Sequence, residues 1–121
     1  MKYGILYTDE AGESHFKDDD LEFEWVTFAP PAPPVGLTSY LQAKQIVFFK
    51  LPSGWFGDWH PAPKRQFFCC LSGAFEFTAS DGETRVYHAG DVFLLEDTWG
   101  KGHKSRITSK EDFVAAIVQL S

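Results

Sequence analysis

The 121-residue sequence predicts an all-β fold of short strands, and three features of it carry that reading. Helical periodicity is nearly absent. Turn signals recur roughly every eight to twelve residues, the spacing of sandwich and barrel strands. Between the turns lie β-branched and aromatic runs, in a chain with twelve Phe, four Trp and four Tyr. Such side chains suit a pleated, half-buried surface better than a helix.

The length suits one domain over residues 1–121: N-terminal strands and a proline-rich strap over 1–44, then a barrel over 45–121. In LEFEWVTF (21–28), Leu21, Phe23 and Trp25 alternate with Glu22 and Glu24, which reads as a half-exposed strand. APPAPPVG (29–36) reads as stiff polyproline II. QIVFFKL (45–51) reads as a buried strand, and Gln66–Leu71 as another, turned by Ser72-Gly73 into AFEFTA (74–79). There Phe75 and Phe77 share one face, and Glu76 and Thr78 the other. SDG (80–82) is a hairpin turn leading into ETRVYH (83–88). AGD (89–91) turns into VFLLE (92–96), and HKSRIT (103–108) and FVAAIVQL (113–120) close the chain. The last run has some helix propensity and is read as a strand from its neighbours.

A formal net charge of −6 and the lack of any basic stripe argue against a nucleic-acid partner. No apolar run reaches the ~20 residues of a membrane span, and the start has no signal-peptide pattern, so the expected location is cytoplasmic. Cys69 and Cys70 are adjacent in a strand, so their side chains leave on opposite faces. They read as two small apolar residues rather than a disulfide or zinc site.

WHPAPKRQFFCCLSG (59–73) carries the chemistry. His60, Ala62 and Gln66 have equal parity, so on one extended strand they point to one face. Gly54, five residues, His60, then Gly73 fit the frame G-x5-H-x-H-x3,4-E-x6-G, with Ala62 at the second His and Gln66 at the Glu. A second frame, G-x5-P-x-G-x2-H-x3-N, meets Gly90, with Glu96 at the Pro and Thr98 at the following Gly. His103 comes two residues late, and Ile107 stands four residues after it in place of Asn. Residues 54–103 thereby resemble the cupin superfamily. The whole chain is similar to small bacterial single-domain cupins of uncharacterised function that carry like GESHF, WHPAP and EDT-GKGH segments.

The resemblance implies a double-stranded β-helix, a jelly-roll barrel, with a metal site of three His and one Glu. Carried over residue by residue, it leaves His60, Gln66 and His103 as candidate metal ligands. Ala62 removes one ligand, and Gln66 removes the charge that offsets a divalent cation in an apolar barrel. The cofactor expectation is therefore none, or a weakly bound divalent ion. Glu96 and Asp97 either orient one of the histidines or end a strand as a solvated loop. Trp55, Trp59 and Trp99 are expected as a lid, with Phe68 beneath them and Lys101 near an anionic substituent.

The reading is a small-molecule-binding cupin with a degenerate metal site, binding through His60, Gln66, His103, Trp55, Trp59, Phe68 and Trp99. The alternative is a cupin enzyme, either a metal-dependent oxygenase or isomerase, or a metal-free, epimerase-like acid–base catalyst. Outward Phe67 and Leu71, with Phe23 and Trp25, call for a cover, and a homodimer is expected.

Overall fold

The computed structural model describes residues 1–121: twelve strands and no helix. The strands are β1 (Lys2–Thr8), β2 (Ser14–Asp20), β3 (Glu24–Val26), β4 (Val35–Leu37), β5 (Gln45–Leu51), β6 (Phe56–His60), β7 (Gln66–Ser72), β8 (Ala74–Ala79), β9 (Thr84–His88), β10 (Val92–Leu95), β11 (His103–Ile107) and β12 (Phe113–Gln119). They form a six-stranded sheet, β2-β1-β10-β7-β12-β5, a four-stranded sheet, β6-β11-β8-β9, and a separate ribbon, β3-β4. This is an all-β arrangement of jelly-roll type. The two main sheets face each other without closing into the expected barrel, and β5 and β6 remain edge strands.

The alternation read from the sequence explains how the layers meet. Phe75, Phe77 and Ala79 of β8 turn inward against Phe68 and Cys70 of β7, Phe93 and Leu95 of β10, and Phe113, Ala115 and Ile117 of β12. Phe93 stacks between Phe68 and Tyr87, at 4.8 and 4.2 Å between ring centroids. Removing one such ring leaves a void in a close-packed layer and costs about 3–5 kcal/mol. Gly73 turns β7 into β8 at φ +77°, and a Cβ there would lie 2.7 Å from the Asp112 carbonyl oxygen. The turn thus seats on the start of β12 only as glycine.

Several expectations change. β1 lies inside the large sheet, parallel to β10, and Asp18–Asp20 belong to β2. QIVFFKL is a strand, but an edge strand bonded on one side only, so Ile46, Val47 and Phe48 are exposed rather than buried. The proline-rich segment is not a strap. It forms the bend of the β3-β4 ribbon, with a cis Pro30–Pro31 bond, and only Glu24–Val26 of LEFEWVTF is strand. Phe67 faces outward but is already buried in a cluster with Ile5 and Leu94, and its ring lies 5.6 Å from that of Tyr3. It needs no second subunit, whereas Leu71 is exposed. Cys70 joins the core, and burial pushes its thiol pKa up to about 12, so it is an inert apolar group. The chain has no helix long and apolar enough to cross a membrane.

Candidate functional site

A cavity of about 250 Å³ lies between the two sheets, on the side where β5 and β6 run. Its walls are mostly apolar, including Phe49, Leu51, Phe68, Phe75 and Ile117, and His60, Gln66, Ser105 and His103 are its polar groups. Trp55, in the turn between β5 and β6, packs edge-on against Phe75.

His60 and His103 come together because β6 and β11 are antiparallel neighbours that place them opposite each other. Their rings lie 4.9 Å apart at 55°. Gly102 sets this approach. It sits at φ +71°, and a Cβ there would fall 2.2 Å from the His60 carbonyl carbon, so any side chain would push the strands apart. His60, at the mouth, is exposed and its Nδ1 donates to the Asp58 carbonyl at 2.6 Å.

His103 is buried and its Nδ1 meets Asp97 Oδ2 at 2.6 Å. A carboxylate can only accept, so Nδ1 carries a proton, and in the neutral ring the lone pair is on Nε2. Asp97 is fully buried and its Oδ1 has no hydrogen-bond partner. The Asp97 carbonyl accepts from the Ala62 amide at 2.9 Å, which ties the two loops behind the histidines together.

Gln66 begins β7 on the opposite sheet. Its Oε1 accepts from Gln119 Nε2 at 2.9 Å, and Gln119 Oε1 accepts from Gln45 Nε2 at 2.5 Å. The three amides sit in register across β7, β12 and β5.

A cupin-domain family model matches residues 47–118, more than half of the chain. The protein belongs to the cupin family. No curated protein matches it. Among solved structures, the cupin is similar to a predicted oxalate decarboxylase from Thermotoga maritima, at 20% identity over 84% of this chain and 95% of that one, with a TM-score of 0.50. It is also similar to a conserved protein of unknown function from Streptococcus pyogenes, at 24% identity over 69% of each chain and a TM-score of 0.47. At these identities the likeness is one of fold.

The residues of this cupin do not fit the family's divalent metal. No three His, Cys, Asp or Glu side chains converge as a ligand set. Ala62 is buried in the cavity wall and supplies no donor. Gln66 Oε1 already accepts from Gln119, and Asp97 lies behind the His103 ring, on its Nδ1 side. Two imidazoles without an anionic ligand hold a divalent ion poorly.

Of the expected site residues, His60, Gln66, His103, Trp55 and Phe68 line one cavity. The parity argument that joined His60 to Gln66 fails, since a break at Pro61–Arg65 puts them on different sheets that face each other. Trp59 and Trp99 are not a lid. Trp59 is exposed outside the cavity with Lys104 5.5 Å from its ring centroid, and Trp99 packs near Gly12 on another loop. Lys101 pairs with Glu13 instead of reaching the mouth. Asp97 is a buried partner and not a solvated strand end, whereas Glu96 pairs at the surface with Arg65. Gln119 and Gln45 went unnoticed in the sequence. Their only signal is a glutamine at an end of each of three apolar strands.

Proposed function

We propose that the cavity binds a small, largely apolar and uncharged molecule, oriented by one polar group against His60, Gln66 and His103. The observation that carries this is the lining, in which apolar and aromatic walls surround a few convergent polar atoms. Size supports it as well. An apolar cavity of about 150 Å³ takes benzene, and drug-sized ligands need pockets of about 300 Å³ or more. A cavity of about 250 Å³ therefore suits one ring or two fused rings.

A second reading, metal-free acid–base catalysis, is favoured by the Asp97–His103 pair. An imidazole fixed by a buried carboxylate, in a ring that lines a cavity, is the arrangement of a general base.

The binding test uses a Trp25→Phe, Trp59→Phe, Trp99→Phe variant, which leaves Trp55 as the only indole. Titration with 2-indanone or phenol is expected to change its emission saturably, and glucose to leave it unchanged. Absence of saturable binding by any one- or two-ring compound would overturn the reading.

A further inference from the structure

From the amide line together with the histidine pair, we infer that the ligand is an enolisable carbonyl compound whose α-proton is taken by His103. This inference rests on the binding reading above and gives it a substrate class. The two polar atoms that matter have opposite character. In the neutral ring His103 Nε2 is the lone-pair nitrogen, because Asp97 holds a proton on Nδ1. Gln66 is oriented the other way. Gln119 donates to its Oε1 at 2.9 Å, and Gln119 is itself oriented by Gln45, which donates to its Oε1 at 2.5 Å.

A primary amide whose oxygen is engaged presents its NH2 to whatever lies beyond. Gln66 is buried and lines the cavity, and its Nε2 has no partner within the protein. Across the cavity, then, one wall offers hydrogen-bond donors and the other a base. A molecule that satisfies both has an acceptor oxygen at one point and an acidic hydrogen at another. Between apolar walls and without a countercharge, a ketone or aldehyde with an α-hydrogen meets both demands.

The step balances within the site. The α C–H bond breaks and its proton goes to His103 Nε2. The electron pair becomes the C=C bond of the enolate, and the carbonyl π electrons move to oxygen, where the Gln66 NH2 stabilises the charge. The imidazolium then returns a proton, to the same carbon for exchange or to another for isomerisation. Asp97 is a positioning residue: it keeps Nδ1 protonated and offsets the imidazolium charge. Gln119 is a positioning residue for Gln66. His103 and Gln66 are the groups that touch the substrate.

Replacing Gln119 by glutamate tests this directly. A carboxylate only accepts, so it still bonds Gln45 but forces Gln66 to turn, donate its Nε2 backwards and present Oε1 to the cavity. The readouts are α-deuterium incorporation into 2-indanone in D2O, followed by proton NMR, and Trp55 emission with 2-indanone and with indane, which lacks the carbonyl. Wild type is expected to exchange faster than free imidazole at equal concentration by about 10²-fold or more. Gln119→Glu is expected to lose on the order of 10²-fold in exchange and to weaken 2-indanone binding while indane binds as before. His103→Gln is expected to abolish exchange. Saturable 2-indanone binding with exchange no faster than free imidazole would overturn this inference and leave the binding reading standing. Exchange unaffected by Gln119→Glu would overturn the role of the amide line. Failure of 2-indanone, indane and every other one- or two-ring compound to bind, phenol included, would overturn the binding reading itself.

Discussion

His103 and His15 each meet a carboxylate at 2.6 Å, yet their surroundings are opposite. His15 sits on the outside of the sandwich and is bonded at both nitrogens, with Asp9 Oδ2 at Nε2 and Asp81 Oδ2, 2.8 Å away, at Nδ1. It ties the β1-β2 turn to the β8-β9 turn, where Ser14 and Ser80 also bond each other. Nothing on that ring is left over, so it acts as a clamp. His103 is bonded at one nitrogen only, lies beside a cavity, and leans on a carboxylate with an unpartnered oxygen. The same two residue types make a fastener in one place and a reactive group in the other. What separates them is whether the fold uses both ring nitrogens.

Stability should expose the contrast most strongly. Asp97→Ala leaves the buried Nδ1–H without a partner and is expected to cost about 1–3 kcal/mol in urea denaturation. Asp9→Ala leaves a solvated imidazole that still holds Asp81, and a much smaller loss is expected. Equal losses would collapse the distinction.

Metal content is the next test. The protein purified without a histidine tag is expected to carry clearly less than one divalent ion per chain, because Ala62 and Gln66 replace an imidazole and a carboxylate. Elemental analysis finding one ion per chain, lost on His60→Ala, would make His103 a ligand rather than a base.

The rule about unused groups extends to apolar surface. β3 and β4 pair only with each other, and Trp25, 78% exposed, stands out with Phe23 and Phe28. The free edge strand β5 exposes Ile46, Val47 and Phe48, the last to 71%. Large apolar side chains grouped on a surface in this way mark an interaction site. The ribbon and the residues before it carry Glu22 and Glu24, while Lys44 precedes β5 and Lys50, 3.7 Å from Asp112, lies within it, so a second copy offers matching charge. Light scattering is expected to give a dimer for the wild type and a monomer for Trp25→Glu, Phe48→Glu. A wild-type monomer at high concentration would remove the second copy as the cover.

The smallest expected effect is the pH response of the clamp. The bond to Asp9 first, and that to Asp81 second, raise the His15 pKa above its ordinary value. Stability from the charged ring is therefore fully present below about pH 6.5 and fades as pH rises through the higher folded value. His15 in turn holds Asp9 below the usual carboxylate range, and that share fades as pH falls below about 4. Between these limits the clamp is complete, with Glu13, itself paired to Lys101, the other charge beside it. Proton NMR of the imidazole should show a raised midpoint, and His15→Gln should flatten the loss of stability above neutral pH. An ordinary midpoint would mean the two carboxylates do not act on the ring.

Much of the fold was legible because alternation and turns are local. Apart from β6, which was not read as a strand of its own, the strands from Gln45 to Gln119, the inward Phe75 and Phe77, and the turn at Gly82 all follow from residues near one another in sequence. The edge position of β5 was not legible, since exposure depends on which strand lies beside it. The site divided in the same way. His60, Gln66 and His103 were marked by glycine-framed spacing. The buried state of Asp97 and the line from Gln45 to Gln66 depend on cross-strand register, which no single stretch encodes. Trp55 lines the cavity as expected, but Trp59 and Trp99 misled, because an indole's place in the sequence says nothing about which side of a sheet it meets.

One end of that amide line is not in the cavity at all. Gln45 is exposed on the free edge of β5, two strands from the far end of the line at Gln66. A neighbour that pairs with this edge and takes hydrogen bonds from Gln45 competes for the donor that orients Gln119, and so acts on the donor facing the ligand. Thermodynamic linkage makes such an effect reciprocal: whatever factor edge pairing applies to ligand affinity, the ligand applies to edge pairing. By that reasoning an acceptor seated on the free side of the large sheet is expected to shift ligand affinity through these three side chains.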